Sequence, residues 1–141
     1  MPVKFFNEDS HYNLQQKRLI KEWIKTTIHN ENAKLGTVNF IFTSDNYLLQ
    51  INKEYLSHNY YTDIITFNYC ENTTVNGDIF ISLDTIRNNS TRFGVTFINE
   101  LHRVMIHGIL HLIGYDDGTD EEKVLMREKE NYYLERLENL F

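Results

Sequence analysis

Two histidines near the end of the chain have the spacing of metal ligands. His107 and His111 lie four residues apart in an apolar run, and Gly114 ends that run just before Asp116 and Asp117. A helix turns about 100° per residue, so this spacing places both imidazoles on one face, about 6 Å apart along the axis. A glycine at the helix end can turn the chain back, so that either aspartate could supply a third ligand. Three protein ligands and an open position are typical of catalytic zinc, whereas structural zinc sites are normally closed by four.

A second interpretation of the histidine pair is purely structural. The surrounding helix is apolar nearly all round, which is typical of a buried helix. His107 and His111 could then each form a hydrogen bond to a backbone or carboxylate group in the core. The glycine and the acid pair that follow favour the metal site, and imidazole with carboxylate suits zinc better than iron(II) or manganese.

Other polar groups near the pair have simpler explanations. His102 is rotated about 140° from His107, so we expect it at the surface or in a capping role, with no ligand function. Glu100 and Arg103 fit a helical ion pair, with support of an imidazole as the alternative. No partner pattern surrounds the remaining histidines, which are His11, His29 and His58.

The spacing is also similar to that of zinc peptidases, whose signature has ligands at the first, fifth and eleventh positions and a glycine at the eighth. Those positions are His107, His111, Asp117 and Gly114 here. A peptidase needs a glutamate beside the first histidine to take a proton from the attacking water. This chain has Gly108 there, which disfavours peptide hydrolysis by that route.

The elements that must position these residues alternate between helix and strand. Apolar residues at helical spacing predict a helix over residues 12–29, a second from Ser44–Asp45 to Tyr55, and others over 83–92, 96–113 and after Thr119, where Glu122 completes a capping box. Alternating, β-forming segments predict strands at 3–6, 37–42, 63–69 and 78–83, with a polar turn over 71–77. We therefore predict a single α+β domain spanning residues 1–141, a small mixed sheet covered by helices in an α/β/α arrangement with a zincin-like metal helix.

Composition limits the function further. The net charge of −6 argues against coating nucleic acid through a broad basic surface, but it permits an enzyme with one positively charged cleft. We see no signal-peptide pattern at the N-terminus and no apolar run long enough for a membrane span. Cys70 is the only cysteine, and we expect it to be inert. A reducing cytoplasm fits this composition.

The histidine segment, His107 to Asp117, resembles the hallmark HGxLHLxGYDH of the YbeY family of bacterial endoribonucleases, which are ribosomal RNA maturation factors. Other segments match in order and spacing: Thr62–Phe67 resembles the family strand TDVLSF, and Gly77–Ser82 resembles GDIxIS. Asn52 and Tyr55 resemble the end of the preceding family helix, and Met126 resembles a methionine of the last one.

Two positions depart from the family pattern. Asp117 stands where the family has its third histidine, and aspartate is also a legitimate zinc ligand. Leu56 stands where the family usually carries an arginine that would help to hold a phosphate. Lys53, His58 or Arg87 could substitute for it, and the sequence does not choose among them.

The resemblance implies a cytoplasmic, zinc-dependent endoribonuclease that acts on single-stranded RNA. Its implied role is ribosomal RNA maturation near the 3′ end of the small-subunit RNA, and ribosome quality control. We predict one zinc ion per chain, held by His107, His111 and Asp117, with Asp116 as the alternative third ligand or as a group that orients one. No general base can be named. The alternatives are a metallopeptidase and a non-catalytic, zinc-stabilised ribosome assembly factor.

Overall fold

The computed structural model describes residues 2–55 and 63–141, in which the chain forms four strands and five helices. In chain order these are β1 (Val3–Asn7), α1 (Lys17–Asn30), β2 (Lys34–Thr43), α2 (Asp45–Tyr55), β3 (Ile64–Asn68), β4 (Thr74–Ser82), α3 (Leu83–Phe93), α4 (Phe97–Ile113) and α5 (Asp120–Glu138). Leu56, His58 and Thr62, which carried predictions above, lie outside the described residues. Within those residues, no helix combines the length and apolar character that a membrane span requires.

The four strands form one mixed sheet in the order β1-β2-β4-β3. β2 pairs in parallel with both β1 and β4, and β3 runs antiparallel to β4. Phe40 lies between Phe5 and Ile79 in this register. The predicted small mixed sheet is therefore confirmed.

Helices cover both faces of the sheet. The main core lies between the sheet and helices α1, α3, α4 and α5, and it includes Trp23, Phe40, Ile79 and Ile109. On the opposite face, Leu48 and Ile51 of α2 pack with Ile65, Phe67 and Phe80 in a smaller cluster. This arrangement confirms the predicted helical layers, and α4 lies at the centre of the thicker one.

Two predicted element starts were wrong by four or five residues, and each has a structural reason. Helix α1 begins at Lys17 rather than near residue 12, because Tyr12 belongs to an irregular segment whose backbone exchanges two hydrogen bonds with the Asn7 side chain. Strand β4 begins at Thr74, inside the predicted polar turn, because its backbone pairs with β2 from Lys34 onward. Burial of Val75 stabilises this longer strand. The polar residues around Val75 in the sequence do not indicate that it is buried.

Candidate metal centre

Helix α4 carries His107 and His111, and between them in sequence it packs against the sheet at Gly108. At Gly108 the helix lies so close to the sheet that a Cβ atom would stand 2.9 Å from Cδ1 of Ile64 and 3.0 Å from Cγ2 of Ile79. The two imidazoles, by contrast, are partly exposed, and their Nε2 atoms lie 2.9 Å apart. Glycine at position 108 therefore serves helix–sheet packing. A glutamate there, as in a zinc peptidase, would have to enter the sheet.

A tight chain reversal follows the helix. Gly114 has φ 124°, a conformation that side chains with a Cβ rarely adopt. The backbone N–H groups of Gly114 and Tyr115 both donate to the carbonyl of Leu110, which ends the helix. The predicted glycine turn is thus confirmed, and it sends the next residues back along the histidine face.

The reversal brings Asp117 to the two histidines. Its Oδ2 atom lies 3.3 Å from Nε2 of His107 and 3.5 Å from Nε2 of His111. One ligand atom from each of the three side chains lies within 4.8 Å of the others. Asp116 is exposed and stands outside this group. Of the two aspartates that the sequence left open, the structure brings Asp117 to the histidine pair.

The three side chains fit a zinc ion by donor type and by spacing. Two imidazole nitrogens and one carboxylate oxygen belong to the ligand set of zinc. Bonds of about 2.0 to 2.1 Å in a tetrahedron place ligand atoms about 3.3 Å apart. The two distances to Asp117 agree with that value, and the distance between the histidines is somewhat shorter. A site of three ligands also leaves one position open.

Glu130 of α5 holds His107 in its orientation. The Nδ1 atom of His107 lies 2.6 Å from Oε2 of Glu130, so Nδ1–H donates to the carboxylate and the lone pair of Nε2 points into the site. Arg103 donates to Oε1 of the same carboxylate at 2.9 Å, and Arg127 lies 3.7 Å from that oxygen. The carboxylate of Glu130 is thus shared between a histidine of the site and two cations.

Burial and charge act in opposite directions on this pair. Burial alone would raise the pKa of Glu130, but the hydrogen bond and charge of His107, together with Arg103, hold it below its ordinary value. Burial lowers the pKa of His107, but the Glu130 carboxylate and the charges of Asp117 and Asp63 outweigh it and raise the pKa above its usual range. Each of the two groups therefore favours the charged form of the other.

Two further carboxyl groups, of which Asp63 is half-buried and Glu100 is buried, lie close enough to interact electrostatically with this centre. Burial raises the pKa of Asp63, at the start of β3; the charge of His107 opposes this rise, whereas Glu130 and Asp117 add to it. Burial and the charge of Asp63 also raise the pKa of Glu100. The centre is consequently rich in negative charge, which favours a cation and disfavours a free anion.

A second polar cluster anchors the loop that carries Asp117. The Tyr115 hydroxyl donates to Oε1 of Glu31 at 2.6 Å, and the Tyr133 hydroxyl donates to Oε2 of the same carboxylate. Lys129 lies 3.4 Å from Glu31 and above the Tyr115 ring. Glu31 directly follows α1, while Lys129 and Tyr133 belong to α5. The loop is therefore tied to two helices outside α4.

Some expectations about neighbouring residues were wrong. His102 is 7% exposed rather than at the surface, because α1 covers that side of α4 and Trp23 packs edge-on against the imidazole. Burial lowers the pKa of His102 to about 4. Arg103 pairs with Glu130 across to α5, so its role is the support of an imidazole and not the expected pair with Glu100.

Sequence reasoning missed Glu130, although a signal was present. The buried positions of α5 recur at helical spacing: Met126, Glu130, Tyr133, Leu134 and Leu137. A glutamate on such a stripe needs a partner when it is buried. The spacing does not identify that partner, because His107 lies 23 residues earlier on another helix.

Of the residues that could replace the family arginine, two are described. Lys53 is exposed in the last turn of α2. Arg87 of α3 is exposed, lies 3.6 Å from Asp84 and stacks over the Phe97 ring. Neither belongs to the histidine centre.

Comparison with known proteins places this fold and centre in a family. The family model described as "Endoribonuclease YbeY" matches residues 4–138. The chain belongs to the YbeY family. The YbeY of Bacteroides thetaiotaomicron is 51% identical over 119 residues, which cover 84% of this chain and 87% of that protein. The YbeY of Cytophaga hutchinsonii is 48% identical over 133 residues, covering 94% and 93% of the two chains.

A solved structure supports the same relationship. The solution structure of TM1509 from Thermotoga maritima superimposes with a TM-score of 0.67 at 30% identity, covering 96% of this chain and 88% of the other. The predicted resemblance to the YbeY family is confirmed.

Proposed function

We propose that this protein is a zinc-dependent endoribonuclease that cleaves single-stranded RNA. Membership of the YbeY family and the nuclease names of its relatives support a hydrolase that acts on phosphodiester bonds. The observation that carries the zinc dependence is the convergence of His107, His111 and Asp117 with an open side. We further propose one zinc ion per chain, a cytoplasmic location and a role in 3′-end maturation of the small-subunit ribosomal RNA and in ribosome quality control.

The residues of the centre have distinct tasks in this mechanism. His107, His111 and Asp117 would hold the zinc ion, which would supply a Lewis acid for a phosphodiester oxygen or a water. His107 binds through Nε2 while Glu130 accepts the proton of Nδ1, which fixes the ring and increases its basicity. His111 and Asp117 complete the set, and the anchored Tyr115 holds the Asp117 loop.

RNA is a more suitable substrate for this centre than a peptide. RNA carries its own 2′-hydroxyl beside the scissile phosphate, so it demands less of the protein than peptide hydrolysis does. A peptidase of the zincin kind needs a glutamate at position 108, where Gly108 packs against Ile64 and Ile79. We therefore expect metal-dependent RNA cleavage and no cleavage of unstructured peptides.

The test compares wild type with His111→Ala on single-stranded RNA and on casein, with chelator and after zinc is restored. His11→Ala is the matched control, because His11 is an exposed histidine outside the centre. Wild type and His11→Ala should cleave RNA, lose activity with chelator and regain it with zinc, and His111→Ala should remain inactive.

Three other outcomes would contradict the proposal. RNA cleavage that is undiminished in zinc-free His111→Ala would indicate a contaminating nuclease. Zinc-dependent cleavage of casein would favour the peptidase. A folded, zinc-loaded protein that is inactive on free RNA and on ribosomal RNA in its native context would favour the assembly factor.

A further inference from the structure

Helix α1 carries a strongly basic surface on a protein that is acidic overall. Lys17, Arg18, Lys21 and Lys25 line a groove of about 760 Å³ between α1 and the start of β1. They are four of the 14 lysines and arginines in the chain, which has a net charge of −6. Glu22, the only acidic residue of α1, also lines the groove, so four cations face one carboxylate there. The groove is therefore a local reversal of the charge of the molecule.

The four cations of this basic groove are not engaged with carboxylates. In the described part of the chain, Arg103, Arg127 and Lys129 each form ion pairs with buried glutamates, whereas no ion pair involves the groove cations. The exposed face of a soluble helix commonly mixes both signs of charge. A face with this excess of unpaired positive charge attracts an anionic partner.

The spacing of the lysines fits a strand of phosphates. Lys17, Lys21 and Lys25 follow one another at four-residue steps, so they form a row about 12 Å long on one side of the helix. At the duplex rise of about 3.4 Å per phosphate along one strand, such a row spans three to four phosphates, and it spans fewer of a more extended single strand. The Lys21 Nζ lies 5.8 Å from the centre of the Phe5 ring of β1.

The shape of the surface favours a polymer strand over a membrane. A concave groove admits a strand along its length, whereas a flat bilayer would contact only its rim. Besides the Glu130 carboxylate, which pairs with Arg103 and Arg127, the metal centre has the carboxylates of Asp63, Glu100 and Asp117 close by, and these repel phosphates. An anionic polymer processed there needs its attractive contacts elsewhere on the molecule.

We propose that the basic groove of α1 binds the phosphate backbone of the RNA at a distance from the metal centre. This inference rests on the proposed function, since it assumes that the partner is RNA. The groove borders β1, and α4 lies over β3 and β4, so the strands that the two sites border are about 10 to 15 Å apart across the sheet. An RNA of several nucleotides can reach both sites, and a dinucleotide cannot.

The test is binding of a 2′-O-methyl oligouridine, which resists cleavage, to wild type and to Lys21→Gln/Lys25→Gln. Glutamine keeps helix propensity and removes charge. The matched control is Arg92→Gln/Arg136→Gln, which removes the same charge from exposed positions of α3 and α5. The groove variant should bind severalfold more weakly, with a salt slope less steep by about 1.4, and the control should keep the wild-type slope.

Cleavage kinetics separate this inference from the proposed function. The groove variant should raise KM for long RNA, leave kcat unchanged and leave cleavage of a dinucleotide unchanged. Groove-dependent binding without any cleavage would support the groove and contradict the nuclease. Zinc-dependent cleavage with the same KM in wild type and in the groove variant would support the nuclease and contradict the groove.

Two other results would overturn the proposal that the groove binds RNA. Equal losses of RNA binding in the groove variant and the control would show that the loss comes from the change in net charge and not from the groove. Groove-dependent binding of phosphatidylglycerol vesicles with unchanged RNA binding would identify a lipid surface as the partner. The comparison requires that all variants unfold thermally close to wild type. Lys25→Gln alone leaves the Lys21 contact with Phe5 intact, and it should give half of the change in the salt slope.

Discussion

At the scale of single residues, Asp117 is the proposed zinc ligand at a position where the family pattern has a histidine. Its Oδ2 atom lies within 3.5 Å of both histidines, while Asp116 is exposed. Asp117→Ala should weaken zinc binding by more than about 100-fold, because loss of a ligand costs more than loss of a supporting group. Asp116→Ala should keep wild-type affinity, and Asp117→His should retain the metal. Competition with a chromogenic chelator measures all three, and the opposite ranking of the two alanine variants would identify Asp116 as the ligand.

A substitution of Glu130 tests the hydrogen bond that orients His107, and it leaves the proposed zinc ligands in place. Glu130→Gln keeps the shape but removes the charge that fixes the Nδ1–H of His107, so zinc affinity should fall by about 10- to 100-fold. Zinc titration beside thermal unfolding of the metal-free protein checks this expectation. Glu128→Gln is the control, since Glu128 is exposed on the same helix. Wild-type zinc affinity in Glu130→Gln would show that the hydrogen bond does not orient His107.

At the scale of elements, the metal loop depends on helices α1 and α5 as much as on α4. Tyr115 and Tyr133 both donate to Glu31, but only Tyr115 belongs to the loop. Each tyrosine-to-phenylalanine variant loses one hydrogen bond to a carboxylate, about 1.5 to 3 kcal/mol of stability. Tyr115→Phe should in addition weaken zinc binding by about 10-fold, and Tyr133→Phe should leave it unchanged. Equal zinc affinities at similar losses of stability would show that the anchor stabilises the fold without positioning Asp117.

At the scale of the whole molecule, the burial of His102 makes stability depend on pH. Its pKa is about 4 in the folded protein and about 6.5 when unfolded, so the unfolded state binds more protons between these values. The free energy of unfolding should therefore fall as the pH drops through this window, by about 1 to 2 kcal/mol between pH 7 and pH 5. His107, whose pKa is raised, contributes in the opposite direction.

Denaturant unfolding of the metal-free protein measures the contribution of His102 to this pH dependence. The pH-dependent loss should be smaller in His102→Gln, which cannot titrate, than in wild type. His11→Gln, at an exposed position, should follow wild type. The same loss in His102→Gln would show that other groups produce it.

Much of the fold was predictable because its signals are local. Helical periodicity and alternation located all of the described helices and strands, and the Thr119–Glu122 capping box is present as expected. The shared face of His107 and His111 was also predictable, because it depends on the geometry of one helix alone. Boundaries were wrong where a partner strand or an irregular segment overrode local composition, as at Thr74 and Tyr12.

Only the tertiary structure decided which distant groups meet at the site. It selected Asp117 over Asp116 through a turn whose direction depends on Gly114 and on the Tyr115 anchor to Glu31. It also brought Glu130 to His107, and it buried His102 under α1. Helical spacing determines which side chains share a face, but the partner of that face depends on how separate helices pack around one core, and a pattern within one helix carries no record of that packing.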